Sequence, residues 1–187
     1  MTTLLLDTHT WLWAQSEPHR LNERCRKLLG DADETLLFSA ASSWEIGIKY
    51  ALKKLDLPEP PGLFVPKRLA QMGITPLPIE HAHALRVAEL PHHHRDPFDR
   101  LLIAQAQLEG ATVATADPRF LLYEVDVLWA GAGEAPSEVH EGRRPWGWGR
   151  RGRAARGRGA LRPRAKVRAR SIRPKASSGA SPGRKAK

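Results

Sequence analysis

The chain has 187 residues, 41% of them apolar, with 30 Lys and Arg against 20 Asp and Glu and a single cysteine. Residues 131–187 hold 17 of the basic residues and 3 of the acidic ones, a charge of +14, which leaves −4 on residues 1–130 and divides the chain into one domain and a basic tail. These numbers exclude a disulfide scaffold, because Cys25 has no intramolecular partner, and no apolar run approaches the roughly 18–20 residues that span a bilayer.

The first apolar run, Thr3 to Leu6, is short and stops at the polar triplet Asp7-Thr8-His9, as a buried strand does. No basic stretch precedes it, so it does not read as a signal peptide, and a cytoplasmic protein without membrane contact is expected. Trp11, Leu12, Leu21, Cys25, Leu28 and Leu29 recur at helical spacing, with Pro18 as a break between two helices. Thr35 to Phe38 forms a second strand candidate. The stretch from Ala41 to Leu55 then reads as a helix with Trp44, Ile48, Ala51 and Leu52 on one apolar face.

Prolines from Pro58 to Pro66 predict a loop, and Leu63 to Met72 is weakly helical. Ile74 to Leu77 is a short third strand, pushed toward a sheet edge by Pro76. His81 to Leu90 reads as a helix with an Ala84, Leu85, Ala88 stripe, and a polar loop through His92-His93-His94-Arg95 follows. A strong helix runs from Pro97 to Gly110, whose glycine is placed to stop it. Thr112 to Thr115 and Val125 to Trp129 complete five strands. Strands separated by helices imply crossover connections, hence an α/β fold with a mainly parallel sheet and helices on both faces.

Four acids sit at telling places in that scheme. Asp7 directly follows strand one, Glu45 lies in the first turns of the helix after strand two, and Asp117 directly follows strand four. Strand C-termini of a parallel sheet share one edge, and ligands bind in the crevice there. Asp99 opens the helix leading into strand four, and it reaches that edge if the loop before it returns the chain. Each acid also has a capping explanation: Ser42-x-x-Glu45 and Asp96-Pro97-Phe98-Asp99 read as capping boxes, and Asp7 and Asp117 suit the next helix or turn. Capping does not account for acids gathering at one edge, where like charges repel unless a cation neutralises them. Carboxylates with no Cys or His beside them suit a hard ion, Mg²⁺ or Mn²⁺. Zinc is disfavoured, because the three adjacent histidines point apart and neither a cysteine pair nor a His-x-x-x-His pair is present. Arg95 and Arg100 flank the acidic helix start and suit phosphate groups or the acids themselves.

Asp7-Thr8-His9, Ser42-Ser43-Trp44-Glu45-Ile46, the block from His94-Arg95-Asp96-Pro97-Phe98-Asp99-Arg100 to Ala106, and Thr115-Ala116-Asp117 with Phe120 follow in order over residues 3–129. Together they resemble a PIN domain and, within that family, the VapC-type toxins of bacterial toxin–antitoxin pairs. The resemblance implies a three-layer α/β/α nuclease domain over residues 1–130 and a Mg²⁺- or Mn²⁺-dependent ribonuclease that inhibits translation. It implies that Asp7, Glu45, Asp99 and Asp117 form one acidic pocket of metal-binding and catalytic groups. Asp7 and Asp99 are expected to touch the ion directly, and Glu45 and Asp117 partly through water. Thr8 and Thr115 are expected to bond to backbone, and Asp96 to cap its helix. The implied partners are an RNA substrate and a cognate antitoxin, and the apolar first two helices, with Trp11 and Trp13, suit a homodimer or antitoxin interface.

The tail, residues 131–187, has no counterpart in the usual short toxin, and its Arg, Gly, Ala and Pro content predicts disorder. It reads either as a sequence-independent RNA arm or as GC-rich DNA translated past a natural stop. The alternative function, from another class, is a non-catalytic RNA-binding protein that keeps the scaffold and binds through this tail.

Overall fold

The three leucines after Thr3 alternate between two apolar clusters, Leu4 and Leu6 on one side of the sheet and Leu5 on the other. A strand buried on both faces needs this continuous apolar run, because successive side chains point to opposite sides. The structure, a computed structural model, describes residues 2–139. Its elements are β1 (Thr3–Leu6), α1 (Thr8–Ser16), α2 (Glu23–Leu29), β2 (Thr35–Ser39), α3 (Ala40–Ala51), α4 (Pro61–Gln71), β3 (Thr75–Leu77), α5 (His81–Arg86), α6 (Pro97–Glu109), β4 (Thr112–Thr115) and β5 (Val127–Trp129). Short 3₁₀ turns at Pro18–Arg20, Val87–Glu89 and Pro118–Leu122 join them.

The five strands form one sheet in the order β3-β2-β1-β4-β5, and every pair is parallel. One cluster packs Trp11, Cys25, Ile46, Phe64 and Leu69 on Leu4 and Leu6; the other packs Leu102, Ile103, Ala106 and Phe120 on Leu5 and Val113. Helices therefore cover both faces, as the sequence predicts. The strand order reverses between β1 and β4, so the crevice beside their C-terminal ends is the topological switch point. β3 lies at the edge, where Pro76 leaves no central ladder position without its N–H. Gly110 ends α6 in the left-handed region, at φ 61°.

Several element-level expectations change. The proline-rich loop is interrupted by α4, which starts on Pro61, a residue suited to the first helical turn, and carries Pro66 inside it. Helix α3 begins at Ala40 with Ser39 as its cap, so Ser42 lies inside the helix and Glu45 belongs to no capping box. Its expected apolar face is turned outward, with Trp44 60% and Leu52 58% exposed, while Ala41, Ser42, Glu45 and Ile46 are buried. The expected stripe of α5 is likewise exposed, and His83 is its buried member. Trp11 is fully buried against Phe38 and Phe64, so it belongs to the core and not to an interface. Ala130 and Gly131 still pack on the domain, where Asn22 Nδ2 donates to the carbonyls of Trp129 and Gly131. The arginine-rich remainder of the tail, residues 140–187, lies outside the described residues.

Candidate active site

Asp7 begins its site by leaving β1 at the switch point, where its backbone N–H donates to the carbonyl of Ala114 on β4. Its carboxylate splits its work. Oδ1 accepts from the His9 N–H at the start of α1, and Oδ2 accepts from the Thr115 hydroxyl at 2.8 Å. The same Thr115 oxygen accepts the Asp117 N–H at 3.0 Å, so one side chain ties the ends of the two central strands together. Thr115 thus bonds to a carboxylate as well as to backbone, and Thr8 Oγ1 is buried with no hydrogen-bond partner among the described residues.

Glu45 faces the same crevice from the buried side of α3, one turn before Lys49, whose Nζ lies 2.6 Å from Glu45 Oε1. Asp99 enters from the first turn of α6. That helix precedes β4 directly, so its thirteen residues, about 20 Å of helix, carry the chain from the crevice edge to the opposite edge. The loop between α5 and α6 returns the chain as required, and Asp96 caps the helix through the Phe98 N–H. Asp117 caps the 3₁₀ turn after β4 and is held in a fork by Arg119, at 3.0 Å from Nε and 2.6 Å from Nη2. All four predicted acids line one cavity of about 350 Å³ together with His9, Lys49, His94 and Arg119. Capping and clustering are therefore not alternatives, since Asp7 and Asp117 do both.

Crowding the acids raises the proton affinity of the most buried ones. Burial pushes the Asp7 carboxyl up, with the nearby Glu45 charge adding to it, against the hydrogen bond from Thr115. Burial and the charges of Asp7, Asp96, Glu45 and Asp117 push Asp99 up to about 9. Asp117 goes the other way. Burial works against its charge, but hydrogen bonds from His94 and Arg119 outweigh it and hold the carboxyl well below the usual range.

Sequence reasoning missed three participants. His94 is buried, and its Nε2 lies 3.1 Å from Asp99 Oδ2 and 3.2 Å from Asp117 Oδ2. Its Nδ1 accepts the Asp96 N–H at 3.0 Å, so that nitrogen carries no proton and Nε2 does. The ligand-capable atoms of His94, Asp99 and Asp117 lie within 4.8 Å of one another, a spacing that suits an ion, yet with its proton on Nε2 the imidazole donates a hydrogen bond to Asp117 and lies close to Asp99 without one. The acids therefore do have a histidine beside them. Lys49 and Arg119 are the other two; Lys49 lies at i+4 from Glu45, whereas Arg119 meets Asp117 through the 3₁₀ turn that Asp117 caps. Arg100, by contrast, turns away from the pocket and donates to the carbonyls of Val87, Leu90 and Pro91.

Residues 4–127 match the PIN domain family. Ribonuclease VapC16 of Mycobacterium tuberculosis (strain ATCC 25618 / H37Rv) is 47% identical over 58 residues, which is 31% of this chain and 41% of VapC16. Ribonuclease VapC22 of the same organism is 36% identical over 124 residues, 64% of this chain and 90% of VapC22. The similarity thus spans less than half of the first relative and most of the second. Among solved structures, VapBC2 from Rickettsia felis bound to a promoter DNA fragment matches with a TM-score of 0.53 at 16% identity, covering 69% of this chain and 99% of the other. DNA-bound VapBC from Salmonella typhimurium matches at 0.50 with 18% identity, covering 68% and 98%. These two likenesses concern the fold. Because the family match covers residues 4–127, well over half of the chain, the chain belongs to the PIN domain family and is similar within it to VapC ribonucleases.

Proposed function

We propose that the protein is a divalent-metal-dependent endoribonuclease and the toxin of a toxin–antitoxin pair, cutting RNA in the cytoplasm and so inhibiting translation until its antitoxin binds. The observation that carries this reading is the meeting of Asp7, Glu45, Asp99 and Asp117, from four separate segments, in one cavity. Similarity to proteins named ribonuclease supports it. Among the described residues no helix is long and apolar enough to cross a membrane. A homodimer and a cognate antitoxin are the proposed protein partners.

The donor set fits a hard ion. Its free ligand atoms are carboxylate oxygens, and burial, with neighbouring acid charges adding to it, raises the proton affinity of Asp7 and Asp99, a cost that a bound cation would offset. Asp7 and Asp99 would hold Mg²⁺ or Mn²⁺ directly, with Glu45 and Asp117 in support. When bound, such an ion lowers the pKa of a water and offsets charge developing on the phosphodiester oxygens. The protein's own groups do the rest. Thr115 fixes Asp7 against rotation, and the His94 Nε2–H holds Asp117, with Asp99 beside the same ring.

Cleavage of single-stranded RNA in Mg²⁺, compared between native protein and the Asp7→Asn and Asp99→Asn variants, tests the reading. Both variants should lose at least about a hundredfold in rate, since each removes a charge that holds the ion. Undiminished cleavage by both would remove the acidic pocket from the chemistry.

A further inference from the structure

The four acids of the pocket are not equivalent, and the difference lies in their partners. Lys49 reaches Glu45 along α3, and Arg119 grips both oxygens of Asp117. Among the described residues neither Asp7 nor Asp99 has a Lys or Arg within ion-pair distance; Asp7 accepts from the Thr115 hydroxyl and the His9 N–H, and Asp99 has only the His94 ring, 3.1 Å away. Asp96 and Arg95, also in the lining, add one charge of each sign. With every acid ionised, as a bound cation would require, five carboxylates against three cations leave two negative charges on the lining.

Two divalent ions sharing such a pocket would sit about 3.5–4 Å apart and bring four positive charges against those two. The second ion would have to displace Lys49 or Arg119 from a carboxylate already neutralised. We propose that Lys49 and Arg119 are built-in counter-ions that set the capacity of this pocket at one divalent cation, held by Asp7 and Asp99. This rests on the metal-nuclease reading and deepens it. The two basic side chains already neutralise Glu45 and Asp117, so the electrostatic support a two-ion site would draw from a second metal would come here from the chain itself.

Manganese binding to the full-length chain, counted by loss of the free Mn²⁺ resonance signal on titration, tests this without reference to turnover. The native chain should take up one tight ion. Lys49→Met and Arg119→Met, each checked for an unchanged circular dichroism spectrum, should bind that ion about tenfold more tightly, and the double variant should take up a second. Lys49→Arg, which keeps the charge, should behave as native. Two comparable ions on the native chain, or a double variant with unchanged affinity and count, would overturn the counter-ion assignment and leave the nuclease reading standing. No uptake by the native chain would sink the nuclease reading itself.

Discussion

Asp99 is the side chain whose protonation says most about the pocket. Its carboxyl titrates at about 9 in the folded chain against an ordinary 3.8, so between those values the folded state keeps a proton that the unfolded chain has released. Stability must then fall as pH rises through that window, because the unfolded state binds fewer protons there. Asp117 has the opposite sign, but its contribution is lost only as pH falls below the ordinary carboxylate range. In the absence of divalent ions, thermal melting should therefore occur at lower temperature at about pH 8 than at about pH 5.5. Asp99→Asn should remove most of that difference and stabilise the chain by about 1–3 kcal/mol at the higher pH. A melt that is flat with pH would mean that the carboxyl is not under charge stress. At this scale the sequence was informative about acids and silent about their neighbours. The position of Asp7 after a strand could be read, because topology alone sends it to the crevice edge, whereas Asp99 was placed there by the family resemblance and gets there because the loop before α6 returns the chain. His94 could not be read, since only the folded loop shows which of three adjacent histidines turns inward and which ring nitrogen it offers to Asp117.

Among the elements, α3 shows why hydrophobic spacing misleads at a site. Trp44, Ile48 and Leu52 make the more apolar face by composition, yet the face that packs inward carries Ala41, Ser42, Glu45 and Ile46. Small and polar residues line it because Glu45 must reach the crevice, and a bulky apolar stripe there would fill it. Trp44 instead lies edge-on to Phe98 at the start of α6. The strands were legible because each is a short run bounded by turn residues, and Pro76 even marked its own strand as an edge. The loop before α6 has a different support. Arg100, buried on α6, donates to the carbonyls of Val87 and Leu90 at 2.8 and 3.0 Å and also to that of Pro91, fixing the segment that delivers His94. Arg100→Met should cost about 2–4 kcal/mol, because it strands several buried carbonyls at once. Urea denaturation followed by tryptophan fluorescence measures this, and a cost below about 0.5 kcal/mol would show the carbonyls to be satisfied otherwise.

For the molecule as a whole, charge is the dominant asymmetry, +14 on residues 131–187 against −4 on the rest. An RNA arm of that kind neutralises phosphates without reading bases, so its binding weakens steeply with salt. Full-length protein should bind single-stranded RNA more tightly than a chain ending at residue 139, with a steeper fall in affinity as salt rises. Equal affinities with equal salt slopes would leave the tail without a role in binding. The placement of the acids has another consequence. The Thr115 hydroxyl that steadies Asp7 lies 108 positions along the chain from it, and the strands that carry them are adjacent only because β4 returns past β2 and β3. A nascent or half-melted chain that lacks β4 therefore holds scattered acids and no cavity. The cavity thus exists only once the α6–β4 unit has docked beside β1, so its assembly is tied to the folding of the whole sheet and not to any local segment.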